Sequence, residues 1–74
     1  MSPEQKNEIA ELESLCAAKI AERELLLEGE LAKAGERGDA EALEQLQKQL
    51  LSDRKSLRAQ YEDKKEKVRQ KTAG

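Results

Sequence analysis

Residues 31–43 read LAKAGERGDAEAL, and this stretch decides the fold. Gly35-Glu36-Arg37-Gly38-Asp39 is the only cluster of turn-forming residues in the chain. Gly35 suits the left-handed conformation that ends many helices, because it has no Cβ to clash. Asp39 suits an N-cap, where its carboxylate accepts from the exposed N–H groups of a new helix. Glu41 then lies in the first turn, near the positive end of the helix dipole. The stretch therefore predicts a turn over 35–39 joining two helices.

Working outward, the N-terminal side opens with Ser2-Pro3-Glu4-Gln5. Ser2 is a good N-cap and Pro3 fits the first helical position. Gln5 stands where a reciprocal capping box requires a polar acceptor. No further proline or glycine cluster interrupts either side. The expectation is one domain over residues 1–74, with helix 1 at about 3–34 and helix 2 at about 40–71.

Apolar residues recur at a spacing of 11 residues, as in Ile9, Ile20 and Leu31, or Leu46, Leu57 and Val68. This period corresponds to about 3.67 residues per turn, which gives nearly straight or slightly right-handed packing rather than a leucine zipper. Folding the chain back at the turn pairs the two apolar seams in order. Ala34 meets Leu43, Leu31 meets Leu46, Leu27 meets Leu50, and Arg23 meets Arg54. Ile20 then meets Leu57, Cys16 meets Tyr61, Leu12 meets Lys65, and Ile9 meets Val68. One constant register spans every layer. The fold class predicted is all-α: an antiparallel two-helix coiled-coil hairpin with 11-residue periodicity, dimerising into a four-helix bundle.

Charge supports the same fold-back. Residues 1–46 carry 12 acidic and 5 basic groups, whereas residues 47–74 carry 4 acidic and 9 basic groups. An antiparallel arrangement sets the basic end of helix 2 beside the acidic start of helix 1. It lays Glu8 beside Arg69 and Glu13 beside Lys64, and it suits both helix dipoles.

Composition narrows the functional classes. Charged residues form 41% of the chain and aromatics 1%, the pattern of long helices. Without Phe or Trp, a single hairpin buries little surface, so association is expected on energetic grounds. The net charge of −2 gives no global pull toward nucleic acid. No apolar run is long enough for a membrane span or a signal-peptide core. Cys16 is alone, which excludes an intrachain disulfide and fits a reducing, cytoplasmic setting. With no His and no glycine-rich phosphate loop, neither catalysis nor a cofactor or metal is expected. Carboxylates at i, i+4, such as Glu4/Glu8, read as a solvated face rather than a cation site.

Four constellations stand out. Leu15, Leu26 and Leu51 lie off the seam and form a candidate association face, for a second copy or for another protein through the leucine stripe. Arg23 and Arg54 meet within the seam. Asp53 lies across from Arg23 and Glu24 across from Arg54, so a polar layer of crossed ion pairs is expected to fix the register; an anion site is the sharper alternative.

The third constellation is basic. Arg58, Lys64, Lys65, Lys67, Arg69 and Lys71 could track a phosphate backbone, with Tyr61 alone available for stacking. Carboxylates interrupt this run, and the hairpin neutralises it, so a solvated face is the simpler reading. The layout is similar to the small dimeric RNA-binding hairpins of the Rop type, in architecture and with no shared motif. Last, Arg37-Gly38-Asp39 spells an adhesion tripeptide, but turn and cap chemistry already account for its Gly and Asp.

Overall fold

The computed structural model describes residues 1–71 and contains two helices packed against each other. Helix α1 spans Pro3–Glu36 and α2 spans Ala40–Gln70. Among the described residues there is no strand. The hairpin measures 57 × 15 × 9 Å, about the length that 34 helical residues require.

The start of α1 is built by its first residues. Ser2 Oγ accepts from the Gln5 N–H at 3.1 Å, and Gln5 Oε1 accepts from the Ser2 N–H at 2.8 Å. This reciprocal box satisfies two backbone donors that helix geometry leaves without partners.

The turn differs from the expectation in one respect. Gly35 stays helical and α1 continues to Glu36; Gly38, at φ 67°, takes the left-handed conformation. The Asp39 N–H donates to the Ala34 carbonyl at 2.9 Å, and the Gly38 N–H donates to the Gly35 carbonyl at 3.1 Å. These two bonds form a Schellman cap, which places the positive-φ residue just after the cap residue Arg37. Continuation through Gly35 extends α1 by two residues beyond residue 34, and the backbone hydrogen bonds they gain outweigh glycine's preference for coil. Asp39 caps α2 as expected, its Oδ1 accepting from the Ala42 N–H at 3.0 Å.

The seam is one side chain deep. Leu27, Ala34, Tyr61 and Val68 are buried, while Ile9, Leu12, Cys16, Ile20, Leu31, Leu43, Leu46, Leu50 and Leu57 are half-buried. Among the described residues, no large side chain is fully withdrawn from solvent. Cross-helix contacts run in opposite chain directions, from Gln5 with Val68 through Glu13 with Lys65 to Arg23 with Asp53. The helices are therefore antiparallel.

Candidate interaction surface

Two ion pairs mark the two flanks of the hairpin. On the first flank, Arg23 Nε lies 3.5 Å from Asp53 Oδ2. On the second, Arg54 Nε donates to Glu24 Oε1 at 3.2 Å. The four groups cross-brace α1 and α2 at mid-length and separate the two like-charged arginines. Both arginines remain partly solvated, with side chains 48% and 36% exposed. Asp53 Oδ2 is screened from solvent and has no hydrogen-bond partner, so Arg23 neutralises it by charge rather than by an aligned bond.

The flanks sort the leucines. Leu26 shares a shallow groove with Lys19, Glu22, Arg23 and Leu57, so it belongs to the Arg23–Asp53 flank. Leu15 lines a second groove, with Leu12 and Val68 beside it and Glu8, Glu11, Lys64, Lys67 and Lys71 around it. Leu15 and Leu26 stand 11 residues apart on one stripe and are 52% and 58% exposed.

Leu51 does not join them. It is 64% exposed and lies three residues before Arg54, which places it on the Glu24–Arg54 flank. A register sets the height at which residues meet, whereas the 100° turn per residue sets the side. Leu26 and Leu51 agree in height and differ in side. Leu25, 70% exposed, points away from the seam.

At the open end Lys64, Lys65, Lys67 and Arg69 are engaged by neighbours. Lys65 Nζ lies 2.6 Å from Glu62 Oε1 and 3.5 Å from Glu13 Oε1, and its side chain is only 12% exposed. The hydrogen bond with Glu62 raises the Lys65 pKa, helped by the charges of Glu62 and Glu13 against the opposing effect of desolvation. The same hydrogen bond, followed by the Lys65 charge, holds Glu62 below the usual carboxylate range. Lys67 pairs with Asp63 at 3.3 Å and Arg69 with Glu66 at 3.2 Å.

Two expected neighbours differ in detail. Glu13 meets Lys65 rather than Lys64, because one residue step turns the side chain to the other flank. Arg69 bonds Glu66 on its own helix, in a position where Glu8 was the expected companion. Lys64 instead lies over the Tyr61 ring, with Nζ 4.7 Å from its centroid. Tyr61 is 8% exposed, so its faces are covered by seam residues and Lys64 rather than open to a base. Arg58 lines the grooves of the second flank beside Glu13, Cys16 and Glu24.

One polar tie was not foreseen. Gln5 Nε2 donates to the Val68 carbonyl at 2.9 Å, joining the first turn of α1 to the last turn of α2. The signal was present in Gln5's position, four residues before the seam residue Ile9, which puts it on the same helix face.

Among the described residues, no group of three or more His, Cys, Asp or Glu is placed to hold a metal ion. No helix there is long and apolar enough to cross a membrane. Arg37 and Asp39 of the turn approach to 4.0 Å, and Asp39 is committed to its cap. Comparison with known proteins finds no matching family model, curated protein or solved structure.

Proposed function

We propose that the hairpin is a non-enzymatic protein–protein interaction module that self-associates and serves as an adaptor, chaperone-like or regulatory subunit. The observation that carries this reading is the pair of exposed leucines, Leu15 and Leu26, aligned on one flank. An exposed apolar stripe that a single hairpin leaves uncovered is a candidate contact surface. Pairing two hairpins along such a stripe makes a four-helix bundle of coiled-coil type and supplies the core depth that one hairpin lacks. The crossed Arg23–Asp53 and Glu24–Arg54 pairs act in this reading as a register pin between α1 and α2, with the carboxylates occupying the place an anion would take. A reducing compartment such as the cytoplasm suits the single half-buried Cys16.

Sedimentation equilibrium at tens of micromolar tests the proposal. A dimer is expected, with Leu26→Glu shifting the protein to monomer while circular dichroism stays helical. A wild-type protein that remains strictly monomeric overturns it.

A further inference from the structure

Within the flank that carries Leu15 and Leu26, the charges of the α1 stripe match those of a second copy when the two stripes run antiparallel and oppose one another when they run parallel. Resting on the self-association proposed above, we infer that two copies pair through the outer stripe of α1, antiparallel, about a two-fold axis level with Ile20 and Ala21.

The stripe is read from the structure. Glu8 and Leu15 line one groove, and Lys19, Glu22 and Leu26 line the next groove along the same flank. Lys33 continues it, 7 residues after Leu26 and exposed. About the stated axis, Leu15 of one copy meets Leu26 of the other, Lys19 meets Glu22, and Glu8 meets Lys33. Each match occurs twice by symmetry. Lys19 and Glu22 already lie 3.6 Å apart within one chain, with side chains 57% and 70% exposed, so both are available to turn toward a second copy. Within α1 the like-charge match is Glu11 with Glu30, at opposite edges of the stripe rather than at its centre; across the groove, Lys64 and Lys67 of α2 and its C-cap Lys71 face the same flank.

The parallel alternative sets each of these residues against itself. Glu8 would face Glu8, Lys19 would face Lys19, and Lys33 would face Lys33. Like charges directly opposed disfavour an interface, so the charges select the antiparallel pairing.

Disulfide trapping tests the register, with Cys16→Ala as background in the full chain. A mixture of Leu15→Cys and Leu26→Cys proteins is oxidised mildly beside each protein alone. The inference expects mixed dimers in several-fold excess, because equivalent positions of the two copies stand about 16 Å apart along the helix. Preferred disulfides within either single protein overturn the antiparallel register but leave self-association standing. A chain that sediments as a monomer overturns both. As a second test, Glu8→Lys weakens the dimer about fivefold, since the exposed contact occurs twice, and Glu8→Lys with Lys33→Glu restores it. Failure of the double variant to restore the dimer, with helicity intact, also overturns the register.

Discussion

Gln5 joins the two ends of the hairpin: its Oε1 accepts from the Ser2 N–H, and its Nε2 donates to the Val68 carbonyl. The side chain is 8% exposed, so water replaces neither bond well when the amide is removed. Gln5→Ala is expected to cost about 1–2 kcal/mol, measured as a shift in urea midpoint at constant slope. Gln5→Glu keeps the cap acceptor but loses the donor and sets a carboxylate against a carbonyl. It is therefore expected to be no better than Ala.

The polar layer predicts an asymmetry between the partners of one ion pair. Arg23→Ala leaves Asp53 Oδ2 screened from water without its cation, with an expected loss of about 1 kcal/mol. Asp53→Ala removes the screened oxygen together with its requirement and leaves a partly solvated arginine. Its expected loss is below about 0.5 kcal/mol. Equal losses in denaturant melts would show that the screened oxygen carries no penalty.

The Glu62–Lys65 pair predicts pH dependence at both extremes. Glu62 has its pKa lowered in the folded state, chiefly by the hydrogen bond from Lys65. Its contribution is complete above the unfolded value and is lost as pH falls through the folded one. Lys65 has its pKa raised, chiefly by the hydrogen bond to Glu62. Its contribution is complete below the unfolded value and is lost as pH rises through the folded one. Carboxyl-resolved NMR titration is expected to show the Glu62 midpoint returning upward in Lys65→Met.

The three internal glycines are expected to separate. A Cβ at Gly29 or Gly35 meets nothing within 4 Å, and both positions are helical. Ala at either site is expected to stabilise by about 1 kcal/mol. Gly38→Ala forces a Cβ into the left-handed region at φ 67° and is expected to destabilise by about 1 kcal/mol. Thermal melts distinguish the signs.

The basic end of α2 is expected to give no specific nucleic-acid binding. Lys65, Lys67 and Arg69 each contact carboxylates, and Tyr61 is covered. Fluorescence anisotropy with RNA and duplex DNA should show at most weak binding that disappears as salt rises to physiological levels. Tight, sequence-dependent binding would contradict the protein–protein reading.

The hairpin itself was legible because several signals were redundant. The turn cluster, Asp39's cap and the single register of the two apolar seams all point to the same fold-back, and the Ser2–Gln5 box marks where α1 begins. Details with a single signal were harder to read. Gly35 and Gly38 both permit a left-handed turn, and only the bonds from Asp39 to Ala34 and from Gly38 to Gly35 decide between them. Leu51 shares its height with Leu26, but its side depends on the rotation of α2, which a linear register does not carry. The Gln5–Val68 bond links residues 63 apart, and local chemistry at Gln5 already accounted for the residue through its cap.

A seam one side chain deep, with no large residue fully enclosed among the described residues, has a mechanical consequence. There is no centre around which the chain collapses, so cohesion accumulates layer by layer from the turn outward. Separation then begins at the free ends, and the amide of Gln5 is the clasp there. Amide hydrogen exchange should accordingly slow in a gradient toward the turn, and releasing the clasp should steepen that gradient while leaving the residues nearest Ala34 unchanged.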